Sequence, residues 1–105
     1  SYETPSAIME QVANFIKENK NTKVSIVGYA DKGTGNPTIN KKYAANRANQ
    51  FKDDLVKRYG VDPSIITTDS KGDTVQPFAE NDKNRCVIID AEGIRVIKET
   101  IEVEE

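Results

Sequence analysis

The spacing of apolar residues changes between a helical and a strand period along these 105 residues, and the order of these changes restricts the fold more than any other feature. Residues 5–19 place apolar side chains on one face of a helix. These side chains are Ile8, Val12, Phe15 and Ile16. Lys23–Tyr29 alternates instead and is rich in β-branched residues, which is typical of a strand. A helix followed by a strand predicts that helices pack on a sheet.

A second helix is predicted from about Asn40 to Tyr59, after a loop at 31–37 that is rich in Gly, Asn and Pro. Its apolar face consists of Ala44, Ala48, Phe51, Leu55 and Tyr59. Gly60 stands where helices commonly end in a left-handed residue. At the start of the first helix, Thr4 suits the cap and Pro5 the first helical position. These signals bound the two main helices.

The rest of the chain predicts strands and one long polar loop. A short apolar run favours a strand at Pro63–Thr68, and the polar stretch Ser70–Lys83 is interpreted as a loop. Arg85–Asp90 is a strong strand pattern, and Ile94–Val103 is expected to pair with it as a hairpin. The predicted fold class is α/β (α+β), a two-layer sandwich of two main helices on a mixed β-sheet.

Composition excludes several classes of function. The chain has no histidine and a single cysteine, Cys86, so a Cys-His nucleophile pair or a zinc site of these residues cannot form. A formal charge of −2 argues against nucleic acid as a partner. No apolar stretch approaches the roughly 20 residues that span a bilayer, so this part of the chain is not expected to insert in a membrane. We therefore expect no enzyme, no cofactor and no metal site.

One strand–loop–helix unit could bind a charged ligand. Asp31 directly follows the first predicted strand, at the end where α/β folds often bind ligands. Asn40 and Arg47 are seven positions apart, so they share one side of the second helix, at the border of its apolar face. A carboxylate and a guanidinium on one cleft can hold the ammonium and carboxylate of an amino acid. The open alternative is that Asp31 and Arg47 form a structural salt bridge or are separate solvated charges.

Other motifs give weaker indications of a binding or catalytic site. The segment Gly33-Thr34-Gly35 precedes a helix but matches neither phosphate-loop pattern, so it is interpreted as a flexible loop. The carboxylates Asp53-Asp54, Asp69 and Asp73 lack the spacing of metal ligands. Cys86 lies in an apolar strand pattern and is expected to be a small buried residue.

Four short motifs resemble the OmpA-like peptidoglycan-binding domain, the C-terminal domain of OmpA-family outer-membrane proteins. They are Gly28-Tyr29-Ala30-Asp31, Asn40 with Asn46-Arg47-Ala48, Gly60-Val61-Asp62 and Asn84-Arg85-Cys86-Val87-Ile88. The family shows Gly-His-Thr-Asp, an Asn two turns before Arg-Ala, Gly-Val and Asn-Arg-Arg-Val at these places. The likeness covers about residues 5–90, which makes 1–105 one OmpA-like domain with an extension at 91–105 that could add a strand. The family's first strand, before the first helix, is expected to be absent.

The resemblance implies roles for five residues. In the family, the Asp and the Arg of these motifs bind diaminopimelate of the peptidoglycan peptide stem, and they correspond to Asp31 and Arg47. The supporting Asn of the family corresponds to Asn40, and the Asn-Arg pair near the ligand to Asn84 and Arg85. The implied function is non-catalytic anchoring of the outer membrane to the wall, in the periplasmic domain of an outer-membrane protein of Gram-negative bacteria.

Departures from the family pattern support an alternative. Tyr29 and Ala30 replace His-Thr, Cys86 replaces the second Arg of Asn-Arg-Arg-Val, and the 16-position step from Asp31 to Arg47 is about one residue longer than usual. A structural or protein-interaction module of the same fold that has lost peptidoglycan binding would show such changes. The sequence leaves the two functions open.

Overall fold

The computed structural model describes residues 2–3, 6–19, 22–91, 94–99 and 101–102. Within these residues, two helices, α1 and α2, and six strands, β1 to β6, follow one another. In order they are β1 (Tyr2–Glu3), α1 (Ser6–Glu18), β2 (Val24–Tyr29), α2 (Pro37–Tyr59), β3 (Ile66–Gly72), β4 (Cys86–Ala91), β5 (Ile94–Glu99) and β6 (Ile101–Glu102). Two 3₁₀ turns, Pro63–Ile65 and Asn81–Asn84, precede β3 and β4. Among the described residues, no helix is both long and apolar enough to cross a membrane.

The main sheet has four strands in the order β3-β2-β4-β5. Strand β3 is parallel to β2, whereas β4 is antiparallel to both of its neighbours, β2 and β5. The sheet is therefore mixed, and together with the two helices it confirms the predicted fold class. The hairpin of β4 and β5 is present, with Ala91 opposite Ile94. Residues 92–93, which connect them, lie outside the described residues.

A short pair of strands lies apart from the main sheet. Residues Tyr2–Glu3 pair antiparallel with Ile101–Glu102. A strand thus precedes α1, where none was expected, although it has only two residues and does not join the four-stranded sheet. The single strand predicted for Ile94–Val103 is divided into β5 and β6, and Val103 lies outside the described residues.

Helix α2 begins three residues before the predicted start at Asn40. The side chain of Asn36 caps it by accepting a hydrogen bond from the backbone N–H of Ile39 at 3.0 Å, and Pro37 fills the first helical position. The stretch interpreted as loop therefore contains the helix start signals. The predicted end is confirmed, since Gly60 has φ 70° and its N–H donates to the carbonyl of Val56.

The segment after α2 differs from the prediction at both ends. Pro63–Ile65 is a 3₁₀ turn, because Asp62 caps the N–H of Ser64 at 2.9 Å. Strand β3 then continues to Gly72 and includes the first three residues of the predicted loop. Alternate residues of β3 are exposed along this edge of the sheet, which is why its composition is polar enough to be read as loop.

The core lies between the helices and one face of the sheet. Strand β2 alternates buried and half-buried residues, and Val24 and Ile26 face the helices. Further core residues come from both helices and from β4: Met9, Val12, Ala13, Ile16, Ala48, Phe51, Leu55, Val87 and Ile89. The predicted face of α1 is partly right, because Ile8 and Phe15 are only half-buried. Thr4 and Pro5 lie outside the described residues. Cys86 is fully buried in β4, as predicted.

The topology brings three strand ends to one edge of the sheet. Parallel strands β2 and β3 both end there, and antiparallel β4 begins there. The loop at 30–36 and the loop at 73–85 therefore leave the sheet side by side, next to the first turn of α2. Every residue that the sequence proposed for ligand binding lies on these two loops or on α2.

Candidate functional site

Asp31 is a buried carboxylate at the end of β2. Its relative exposure is 3%. Three side chains donate hydrogen bonds to it: Thr34 Oγ1 to both oxygens at 3.1 and 2.9 Å, Asn81 Nδ2 to Oδ2 at 2.9 Å, and Arg85 Nε to Oδ1 at 3.0 Å. Burying a carboxylate is costly unless it is paired and hydrogen-bonded, and these donors meet that requirement.

The same donors keep Asp31 ionised. Burial raises the pKa of this carboxyl, but the hydrogen bonds from Asn81 and Thr34, together with the charge and hydrogen bond of Arg85, outweigh it. The net result is a pKa below the usual 3.8. Asp31 is therefore a fixed negative charge at neutral pH.

Two amide side chains join the loop at 73–85 to the loop at 30–36. Asn81 accepts from the N–H of Gly33 at 2.9 Å while it donates to Asp31. Gln76 donates to the carbonyl of Ala30 at 2.8 Å and accepts from the N–H of Lys32 at 3.2 Å. Each amide thus uses both its donor and its acceptor across the loops, and together they fix the backbone around Asp31.

Asn40 connects α2 to the same backbone. It is 2% exposed, and its side-chain amide donates to the carbonyl of Thr34 at 2.8 Å, to that of Asp31 at 3.3 Å and to Asp73 Oδ2 at 3.0 Å. Gly35 makes room for this amide, because a Cβ there would lie 2.5 Å from Asn40 Oδ1 and its φ is 68°. Asn40 is therefore a positioning residue in this structure.

Arg47 lies deeper, on the face of α2 that covers β2. It is 3% exposed, which agrees with its predicted place at the border of the apolar face. Its Nη1 donates to the carbonyl of Tyr29 at 2.9 Å. The two proposed ligand residues thus meet on one short segment, since Arg47 binds the backbone two residues before Asp31.

Close packing of α2 on β2 sets the position of Arg47. A Cβ on Gly28 would lie 1.8 Å from the backbone oxygen of Ala44, so only glycine allows the helix to approach the strand this closely. Ala44 and Ala48 flank Arg47 on the helix, and both are buried. The glycine of the Gly28–Asp31 motif therefore has a packing role that fixes the guanidinium relative to the end of β2.

The structure divides the proposed residues Asn84 and Arg85. Asn84 is 1% exposed, and its side chain binds the backbone of Phe78. It accepts a hydrogen bond from the N–H of Phe78 at 2.8 Å and donates one to its carbonyl at 3.0 Å. Arg85 points to the site instead, with Nε on Asp31 and Nη2 on Asp82 Oδ1 at 2.9 Å. Among the described residues, Asp31 forms its salt bridge with Arg85.

Sequence reasoning missed Asn81, Gln76 and Thr34. The first two lie in the stretch interpreted as a polar loop, where no periodicity marks individual residues. Their partners are 44 to 50 positions away in the sequence. Thr34 could have been found from the sequence. A hydroxyl three residues after an Asp at a strand end can reach the carboxylate of that Asp when the chain turns there. Among the described residues, no group of three or more Cys, Asp or Glu could hold a metal ion.

Comparison with known proteins identifies the family of this fold. The model of the OmpA family matches residues 3–86. Outer membrane protein 41 of Porphyromonas gingivalis is 44% identical over 78 residues, which are 74% of this chain and 19% of that protein. Outer membrane protein 40 of the same organism is 37% identical over 79 residues, 75% of this chain and 20% of that protein. The chain therefore spans about a fifth of the length of these curated relatives.

Solved structures show the same architecture. The C-terminal domain of Helicobacter pylori MotB is 29% identical and superposes with a TM-score of 0.67, covering 81% of this chain and 69% of that one. The peptidoglycan-associated lipoprotein of Burkholderia pseudomallei, 22% identical, shows the fold with a TM-score of 0.68 over 81% of this chain and 73% of that one. Because the family model matches most of the chain and the fold agrees, the chain belongs to the OmpA family.

Proposed function

We propose that this domain binds peptidoglycan without catalysis and holds the diaminopimelate of the peptide stem at Asp31 and Arg47. The observation that carries the proposal is the convergence of one buried negative and one buried positive side chain on residues 29–31, at the loop edge of the sheet. The free end of diaminopimelate has one ammonium and one carboxylate, which require this pair of charges.

Each charge suits its half of the ligand. Asp31 is ionised at neutral pH, so it accepts hydrogen bonds from an ammonium. Arg47 presents a planar group with several donors, which suits a carboxylate better than a lysine would. We assign positioning roles to Asn40 and Asn84, because both form hydrogen bonds with the loop backbone and Asn40 also donates to Asp73.

The relatives support a place in the cell envelope. The two Porphyromonas gingivalis proteins are named as outer membrane proteins, and the Burkholderia pseudomallei structure is of a peptidoglycan-associated lipoprotein. We infer that this domain lies in the periplasm as part of an outer-membrane protein and anchors the outer membrane to the wall.

One observation favours the alternative, a module of the same fold that no longer binds peptidoglycan. Asp31 already accepts hydrogen bonds from three side chains, one of them a guanidinium. A carboxylate has about four acceptor positions, so little capacity is left for a ligand unless one donor leaves. A fold can persist after its ligand has been lost.

Sedimentation with purified sacculi separates the two functions. Asp31→Asn and Arg47→Lys keep side-chain size and are expected to reduce binding at least tenfold, because the first removes the negative charge and the second removes the planar donor group that suits a carboxylate. Asp53→Asn and Arg58→Lys are matched controls on exposed positions of α2 and should bind like the wild type. Binding that persists in both site variants would overturn the proposal.

A further inference from the structure

Arg85 occupies the place at Asp31 that an incoming ammonium needs. Its Nε lies 3.0 Å from Asp31 Oδ1. The other two donors, Thr34 and Asn81, are neutral. Two cations beside one buried carboxylate repel each other, and the repulsion is stronger in a partly buried site than in water. An ammonium that binds Asp31 must therefore push the guanidinium of Arg85 away.

Arg85 also has a second carboxylate to which it can move. Its Nη2 lies 2.9 Å from Asp82 Oδ1, and the side chain of Asp82 is 79% exposed whereas that of Asp31 is 4% exposed. The side chain of Arg85 itself is 40% exposed. Rotation of this side chain can release Nε from the inner carboxylate while Nη2 stays with the outer one.

The other donors to Asp31 are tied to the loop backbone. Asn81 accepts from the N–H of Gly33, and the carbonyl of Thr34 accepts from Asn40. Moving Asn81 would break a link between the two loops, and moving Thr34 would break the link of its loop to α2. Arg85 is thus the donor that can leave while the loops keep their places.

We propose that Arg85 is a specificity-determining residue that competes with the ligand ammonium for Asp31 and moves toward Asp82 when the ligand binds. This inference rests on the proposed function, since it concerns the same site. One cation replaces another, so the charge around Asp31 is conserved. A ligand that lacks the ammonium leaves Arg85 in place and gains nothing at Asp31. Arg85 therefore weakens the binding of a zwitterion but not that of a simple carboxylate, and so limits how strongly the site prefers zwitterions.

Calorimetric titration of free meso-diaminopimelate into the wild type and four variants tests the competition. Arg85→Met removes the competing charge and should tighten binding about fivefold, as expected for removal of a partly exposed ion pair. Asp82→Asn removes the outer carboxylate, leaves Arg85 on Asp31, and should weaken binding about two- to threefold. In the double variant the effect of Asp82→Asn should disappear, because no guanidinium remains to be shifted.

Lys83→Met is the matched control. Lys83 belongs to the 3₁₀ turn Asn81–Asn84 that directly precedes Arg85, and it pairs with Glu80 at 3.7 Å. Its removal changes the net charge as Arg85→Met does, and binding should stay within twofold of the wild type. Equal tightening in Lys83→Met would overturn the proposal, because the effect would then be one of general charge.

The remaining outcomes are also decisive. Unchanged or weaker binding by Arg85→Met overturns the competition while the proposed function stands, provided that the wild type binds. If Arg85→Met does not fold, Asp82→Asn tests the competition instead, because Asp82 is exposed and its substitution should not affect folding. Unchanged or tighter binding by Asp82→Asn then overturns the competition. Absence of binding by both the wild type and folded Arg85→Met overturns the proposed function, and the competition with it.

Discussion

The two charges of the candidate site are equally buried but lie in regions that are built differently. Arg47 belongs to the packed region, where α2 rests on β2 and the contact between Gly28 and Ala44 is one of backbone on backbone. Asp31 belongs to the loop region, where side-chain amides hold the loops at 30–36 and 73–85 together. The position of Arg47 therefore depends on close packing, whereas that of Asp31 depends on a few hydrogen bonds.

The largest effect is expected in the packed region. Gly28→Ala places a methyl group against the backbone of Ala44 and should lower the free energy of unfolding by about 3 kcal/mol or more, because neither backbone can yield easily. Gly60→Ala is the control: nothing lies within 4 Å of its added Cβ, and only the left-handed φ of 70° is unfavourable. It should cost about 1–2 kcal/mol. Equal losses in urea unfolding would contradict the role of close packing.

The loop region should show an intermediate effect at Asn84. Asn84→Ala leaves the N–H and carbonyl of Phe78 without their partner, and the free energy of unfolding should fall by about 2 kcal/mol. Asn46→Ala, at an exposed position of α2, should change it by less than about 0.5 kcal/mol. A loss at Asn84 no greater than that at Asn46 would show that the amide does not support the loop.

A smaller stability effect is expected at Asn81. Asn81→Ala removes hydrogen bonds to Gly33 and Asp31 at a partly exposed place, and should cost about 1 kcal/mol or less at neutral pH. The pKa of Asp31 should rise in the variant, because the Asn81 hydrogen bond is the largest influence that lowers it. Carboxyl carbon shifts in NMR measure this pKa directly, and an unchanged value would contradict the assignment.

The smallest effect is the pH dependence that follows. Asp31 has a lower pKa in the folded protein than the usual 3.8, so its ionised form stabilises the fold above that value. This contribution is lost as pH falls from 3.8 through the lowered pKa. The difference between the free energies of unfolding of the wild type and Asn81→Ala should therefore narrow in this acidic range. A gap that stays constant down to the lowest pH measured would show that the stabilisation does not involve Asp31.

The packed region was the more predictable of the two. Apolar spacing indicated both helices, and seven-residue spacing placed Arg47 at the border of the buried face of α2, where it lies. These features depend on neighbours three or four positions apart in the sequence. The start of α2 was missed because Asn36 and Pro37 are common both in loops and at helix starts.

The loop region was not predictable in its details. Asp31 was found from its place after a strand, but its partners Asn81 and Arg85 are 50 and 54 positions away. Nothing in a polar stretch without periodicity indicates which amide reaches which carboxylate. The family motif indicated Asn84 and Arg85 as neighbours of a ligand. In the structure, the side chain of Asn84 binds the backbone of Phe78, whereas Arg85 binds Asp31.

The central claim is that Asp31 and Arg47 together hold a zwitterion, and a titration of free meso-diaminopimelate followed by NMR tests it most directly. The claim predicts saturable shifts of the backbone amides at 29–34 and of the Arg47 side-chain N–H, absent in Asp31→Asn and retained in the control Asp53→Asn. Shifts elsewhere only, or the same shifts in Asp31→Asn, would contradict it.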